Sequence, residues 1–310
     1  MKIFKRINIA LYCLGCLLII LNSESFSQSI LEKVKHGYVE NNGVKIHYAA
    51  IGSGTLIVML HGFPDFWYTW KEQMETLSDN YKVVAIDLRG YNRSDKPKGV
   101  ENYKMKFLIG DVVAVIKSFS NEKAVVIGHD WGGAIAWQVA MWHPELVEKL
   151  IVLSTPHPNG LIRELKNNAD QQKNSGYATD FQKEDAHKNL TAEDLASWVK
   201  DADDRTIYIA AFERSDFEAM LNYYKASFPK KNPDSTKTVP NPPKQQKKVL
   251  CPTLAIFGLE DKALLPSGWN GTWDWIDSDF TLVSIPGAGH FVHHDAGKFV
   301  TNTIKLWLTR

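Results

Sequence analysis

Cysteine is scarce in this chain, at three in 310 residues. Cys13 and Cys16 fall in an apolar N-terminal stretch, so Cys251 stands alone in the body of the sequence and no disulfide framework is available. Stability must come from a packed core. Net charge is also lacking: 36 Lys and Arg oppose 35 Asp and Glu, which removes the electrostatic case for nucleic acid or acidic partners. There is no internal repeat, and no low-complexity segment apart from a Pro/Lys-rich linker between Phe228 and Lys248. Zinc-ligand spacing is missing too, because His293 and His294 are adjacent and not at i, i+4 on a helix. No metal and no organic cofactor is expected. What remains is ordinary globular composition, 44% hydrophobic and 23% charged, sufficient for a large core and a small neutral ligand.

The first residues read separately. Lys2, Lys5 and Arg6 precede an apolar stretch from Ile7 to Leu21, interrupted by Asn8 and Gly15 and followed by small polar residues. A spanning helix needs about 20 apolar residues, and Ser25-Phe26-Ser27 has small residues at signal-peptidase spacing, so residues 1–27 are expected to be a signal peptide cleaved near Ser27. The product would be periplasmic or secreted, without a stable membrane anchor. Cleavage removes three basic groups and Glu24, taking the net charge from +1 to −1. An uncleaved anchor is the competing reading, while Cys16 lies inside the apolar run, which disfavours a lipoprotein.

Beyond this, His36 to Ala50 reads as a hairpin turning at Asn41-Asn42-Gly43. Five continuous apolar runs follow: Thr55 to Leu60, Lys82 to Ile86, Ala124 to Ile127, Lys149 to Leu153 and Thr253 to Phe257. Such runs suit strands of a parallel sheet covered on both faces. Leu108, Val112, Ile116 and Phe119 share a helical face, a helix after Asp130 runs to about His143, and Val300, Ile304, Trp307 and Leu308 form the stripe of a last helix. From Thr155 to Val249 the pattern is helical and aromatic with no strand-like run. The expected organisation is an α/β core of 28–155 and 251–310, with a helical cap and linker at 156–250.

The chemistry sits at strand ends. Ala124 to Gly133 joins an apolar strand to Gly128-His129-Asp130-Trp131-Gly132, a nucleophile elbow carrying aspartate where serine is usual. A carboxylate there suits attack on an alkyl carbon. His61-Gly62-Phe63-Pro64 follows the Thr55 strand, and the amides of Phe63 and Trp131 are candidates for an oxyanion hole. Asp87 to Asp95 is read as a structural loop. Gly258-Leu259-Glu260-Asp261 and Gly287-Ala288-Gly289-His290 complete the order nucleophile, acid, histidine of an α/β-hydrolase fold. Glycine spacing favours Asp261 over Glu260, and His290 over His293 and His294. His129, one residue before the nucleophile on a strand, is expected to be structural and to point to the opposite side.

With these motifs, the chain resembles the epoxide hydrolases of the α/β-hydrolase superfamily over essentially its whole mature length. The resemblance rests on residues 61–70 and on Gly128 to Gly133. It implies a mostly parallel central sheet with helices on both faces, and a cap supplying two tyrosines that hydrogen-bond the epoxide oxygen. Ser175 to Gln182 looks like the first tyrosine's context, giving Tyr177, and Leu221 to Lys225 the second, giving Tyr224; Tyr208 and Tyr223 are read as core. Gly297 departs from the family's proline near the last helix. The implied reaction is hydrolysis of a small apolar epoxide by water to a vicinal diol. Asp130 would form an alkyl ester, His290 with Asp261 would activate water, and Tyr177 and Tyr224 would protonate the ring oxygen. The alternatives are a haloalkane dehalogenase-like hydrolase, disfavoured by Phe63, and a non-catalytic small-molecule receptor. The oligomeric state and the identity of the epoxide are not legible.

Overall fold

The computed structural model describes residues 29–229 and 247–310. The expected signal segment and most of the linker lie outside them. A short helix, Ile30–Lys33, belongs to a separate N-terminal unit, and residues 35–310 form the main body. Among the described residues no helix is long and apolar enough to cross a membrane.

Eight strands make one sheet: β1 (Lys35–Asn41), β2 (Val44–Ile51), β3 (Thr55–Leu60), β4 (Tyr81–Ile86), β5 (Ala124–His129), β6 (Val147–Leu153), β7 (Thr253–Gly258) and β8 (Phe280–Ile285). Their order is β1-β2-β4-β3-β5-β6-β7-β8. β1 and β2 pair antiparallel, β2 meets β4 antiparallel, and every later pairing is parallel. The hairpin turns on Asn42 and Gly43, both at positive φ, as its turn residues require. β5 and β7 are buried along their whole length, which accounts for continuous apolar runs in place of alternation. Sequence patterning finds seven of the eight strands. β8 escapes it because this edge strand is half exposed and offers no continuous apolar run.

The helices of the core are α1 (Lys71–Leu77), α2 (Met105–Phe119) and α3 (Trp131–Trp142). α3 is apolar on nearly every side and correspondingly buried, with Ile135, Ala136, Trp137 and Val139 inaccessible to solvent. Between β6 and β7 the described residues form six cap helices, α4 (Pro158–Asn167), α5 (Ala169–Asn174), α6 (Gly176–Phe181), α7 (Ala192–Leu195), α8 (Ala202–Glu213) and α9 (Phe217–Ser227). Asn168, Thr191, Asp201 and Asp216 cap four of them through side-chain oxygens on N-terminal amides, so short polar sequences still start helices at defined points. After β8 come α10 (Val292–Asp295), which holds His293 and His294, and α11 (Gly297–Leu308). Gly297 begins α11, and a Cβ there would run into the Glu72 carboxylate.

Candidate active site

Asp130 stands between β5 and α3 at φ 50° and ψ −121°. A non-glycine residue in that region stores roughly 1–3 kcal/mol of strain, held here by close packing around the turn. A Cβ on Gly128 would overlap the Gly132 carbonyl, and one on Gly132 the Leu60 carbonyl, so both positions need the bare backbone for α3 to lie against the strand ends. The Thr155 hydroxyl donates to the Asp130 carbonyl at 3.0 Å and fixes the turn from the end of β6.

The carboxylate has two distinct environments. Its Oδ1 accepts the Phe63 amide at 2.8 Å, and its Oδ2 lies 3.3 Å from His290 Nε2. His290 Nδ1 meets Asp261 Oδ2 at 2.8 Å, while Asp261 Oδ1 accepts the amides of Ala263 and Leu264 at 2.8 and 3.0 Å. Asp261 is buried and the neighbouring Glu260 exposed. The Trp131 amide belongs to the first turn of α3, where amides have no intrahelical acceptor. Gly62 is obligatory beside it, because a Cβ would collide with the Asp130 side chain. His61 shapes the same loop: its Nδ1–H donates to Gly62 O at 2.8 Å and its Nε2 accepts the Leu88 amide at 3.0 Å.

Tyr177 on α6 and Tyr224 on α9 line one cavity together with Asp130 and Trp131, with their rings 6.1 Å apart and nearly perpendicular. Phe181 and Phe63 pack edge-on against Tyr224, as does Trp131. Tyr208 and Tyr223 face elsewhere. The Tyr208 hydroxyl donates to Asp65 Oδ1 at 3.0 Å and the Tyr223 hydroxyl to the Arg89 carbonyl at 2.9 Å, so both bind the cap to the core. Asp87 likewise holds its loop, accepting from the Trp67 amide, Asn92 Nδ2 and the His47 ring. The Arg89 guanidinium grips buried Asp111 through two 2.6 Å contacts.

Two arrangements differ from the sequence reading. His129 does not point away from the catalytic side: its ring lies 4.9 Å from that of His290 and its Nε2–H donates to the His290 carbonyl at 2.9 Å. Strand alternation relates neighbours only in extended backbone, and the left-handed Asp130 interrupts it. The second is a group no spacing rule finds. Asp65, His293 and His294 each bring a ligand atom within 4.8 Å of the others, and Thr69 Oγ1 sits 2.7 Å from both imidazole Nε2 atoms, so hydrogen bonding ties α10 to the turn at Trp67–Trp70. The cavity walls Leu161, Phe228 and Leu264 also carried no signal, since an apolar residue that lines a cavity looks like any core residue.

Charge follows from these contacts. Burial works against a cationic His290, but the Asp261 charge and the hydrogen bond to Asp130 prevail and raise its pKa to about 10. Burial also opposes the Asp130 carboxylate, yet the hydrogen bond and charge of His290, with the Phe63 amide, keep it below the usual range. At neutral pH His290 is therefore an imidazolium beside the Asp130 carboxylate. Both tyrosines are held well above their ordinary value by burial. The Asp130 charge adds to this for Tyr177, and Tyr177 together with Asp130 for Tyr224, so the phenols stay protonated.

Burial keeps the His61, His129, His157 and His293 imidazoles neutral. Burial lowers His61 to about 4 and His129 and His157 to about 3, and it lowers His293 as well. Each gains a proton in the unfolded chain as pH falls through about 6.5 but not in the folded one, costing up to about 2 kcal/mol at pH 5. The His290 ion pair has the opposite sign, present below about 6.5 and lost as pH rises through about 10. Tryptophan fluorescence during acid titration is therefore expected to show unfolding between about pH 6 and 4. An unchanged melting temperature from pH 7 to pH 4.5 would contradict this assignment of neutral histidines.

The sheet, elbow and triad define an α/β-hydrolase with aspartate in the nucleophile's place. The family model described as alpha/beta hydrolase fold matches residues 55–297. Epoxide hydrolase 1 of Caenorhabditis elegans is 32% identical over 91% of this chain and 72% of its own length. AB hydrolase superfamily protein YfhM of Bacillus subtilis is 36% identical over 90% of this chain and 99% of its own. A crystal structure of a Bacillus megaterium epoxide hydrolase in complex with an inhibitor superimposes with TM-score 0.80 at 32% identity, covering 88% of this chain and all of that one. The chain belongs to the epoxide hydrolase family of the α/β-hydrolase superfamily.

Proposed function

We propose that the protein hydrolyses an apolar epoxide to a vicinal diol through a covalent ester on Asp130. The observation that carries this reading is the joint lining of one cavity by the Asp130 carboxylate and two protonated phenols. Asp130 Oδ2, the oxygen without the Phe63 amide, attacks a ring carbon; the carbon–oxygen bond breaks, and Tyr177 and Tyr224 hydrogen-bond the departing alkoxide, one of them giving it a proton. Esterification removes the Asp130 charge, one of the two that hold the proton on His290, so the imidazolium passes that proton back to the ionised tyrosine and the neutral imidazole becomes a base for water. Oriented by Asp261, it deprotonates a water that attacks the ester carbonyl. The oxyanion on Oδ1 then rests on the Phe63 and Trp131 amides; collapse breaks the ester carbon–oxygen bond, the leaving alkoxide takes the proton from His290 to give the diol, and the Asp130 acid proton returns to His290.

Aspartate suits this chemistry because a carboxylate is nucleophilic without losing a proton first, and its ester is cleaved at the acyl carbon, regenerating the side chain. No step needs a metal or organic cofactor. Tyr177→Phe and Tyr224→Phe are each expected to lower kcat/KM for epoxide by about 10- to 100-fold, and the double substitution by considerably more. Diol formation followed by gas chromatography measures it. Wild-type-like turnover in the double variant, or halide release from 1-chlorobutane with no diol from epoxides, would overturn the assignment.

A further inference from the structure

Asp65, His293 and His294 have no part in the proposed reaction. None of them lines the cavity shared by Asp130, Tyr177 and Tyr224, and the ligand atoms of all three lie within 4.8 Å of one another. The two histidines are neighbours on the short helix α10, yet both Nε2 atoms converge on one point, the Thr69 hydroxyl, at 2.7 Å each. A hydroxyl has a single proton, so it can donate to only one of the two imidazoles. Adjacency in the sequence excludes the i, i+4 pattern of a zinc site on one helix. Here the third ligand comes from another element, the loop after β3.

The carboxylate has an oxygen to spare. Asp65 Oδ1 accepts the Phe66 amide at 2.8 Å and the Tyr208 hydroxyl at 3.0 Å, which fixes the group, while Oδ2 is buried and makes no hydrogen bond. A buried carboxylate oxygen left in that state is costly, and a bound cation offsets the cost. His293 is fixed as well, its ring stacked on that of Trp70 at 5.0 Å. His294 is exposed, which gives an ion a way in from solvent. The charged side chains that act on His294 are Lys71, Asp204 and Asp295; two of the three are acidic, and the lysine is already paired with Asp204.

Two imidazole nitrogens and a carboxylate oxygen suit zinc, which takes such ligands at about 2.0–2.2 Å in tetrahedral array, whereas calcium and magnesium take six or more ligands, predominantly oxygen. Bonds of that length set ligand atoms about 3.4 Å apart, so the three side chains must draw together around the ion. A water or the Thr69 hydroxyl takes the fourth position. We propose that Asp65, His293 and His294 bind one zinc ion as a structural clamp that takes no part in the chemistry at Asp130. Asp65 follows shortly after Phe63, whose amide holds Asp130, and His293 follows shortly after His290. The ion locks together the loops that carry the oxyanion donor and the general base.

Zinc chloride titrated into the chelator-treated full protein, followed by calorimetry and by metal analysis after dialysis, tests this. One zinc per chain is expected, with a Kd at or below about 10 µM. At about a hundredfold excess of zinc over Kd the melting temperature is expected to rise by about 5 °C. His294→Ala, at an exposed position, and Asp65→Asn, which keeps an oxygen for the Phe66 and Tyr208 donors, are each expected to weaken binding by at least about 100-fold and to abolish the shift. His143→Ala, which removes a surface imidazole beside Glu145, is expected to bind zinc as the wild type does. Binding weaker than about 10 µM in the wild type, or undiminished binding in His294→Ala, overturns the proposal. If Asp65→Asn fails to fold, His294→Ala decides alone. Neither result bears on the epoxide hydrolase reading, which rests on other residues.

Discussion

An Asp130→Gly variant is expected to lose epoxide turnover by at least about 10,000-fold while remaining folded. The loss follows from the chemistry: without the carboxylate no ester forms, and water must attack the ring directly with only the phenols to help. The retention of fold follows from the backbone. Residue 130 sits at φ 50°, a region glycine adopts without penalty, so the substitution relieves part of about 1–3 kcal/mol of strain. It also removes a partner of the His290 imidazolium, which works in the opposite direction, leaving Asp261 as the remaining carboxylate at 2.8 Å. A melting temperature within a few degrees of wild type, with turnover abolished, separates a catalytic from a structural role for this residue. Substantial residual turnover would show that another group attacks the epoxide.

The second large effect belongs to His290→Gln. Glutamine keeps a hydrogen-bonding group near Asp261 but cannot remove a proton from water, so the alkyl-enzyme should form and then persist. Loss of a general base of this kind lowers turnover by about 100- to 10,000-fold. The two half-reactions respond unequally because His290 has opposite charge requirements in them. As an imidazolium, raised to about 10 in the free protein, it neighbours the attacking carboxylate without being needed as a base. It becomes a base only once the ester has removed one of its two neighbouring charges. Epoxide consumption should therefore show a burst of about one equivalent per site followed by near arrest, in contrast to Asp130→Gly, which should show no burst.

Much of this was legible in the chain because its signals are local. A fully buried parallel strand needs a continuous apolar run, and a turn that brings a helix against the strand end needs glycines, so β3, β5 and β7 and the residues at their carboxyl ends can be read directly. The Asp130–His290–Asp261 geometry follows from which strand ends adjoin. β8 was not legible, because an edge strand half open to solvent has no such run. The orientation of His129 depended on a backbone angle at the next residue. The meeting of Asp65 and Thr69 with His293 and His294 joins segments more than 220 residues apart, and the volume left between Phe228, Leu161 and Leu264 depends on how the cap seats on the core. Long-range packing of that kind has no periodicity for a sequence to display.

The central claim is a covalent bond between Asp130 and substrate carbon. Mass spectrometry of the His290→Gln protein after incubation with 1,2-epoxybutane tests it most directly. The expected result is a mass increase equal to one epoxide, located by digestion on the peptide containing Asp130 and absent in the Asp130→Gly, His290→Gln double variant. Diol formed with no adduct at any time, or an adduct on another residue, would contradict the account.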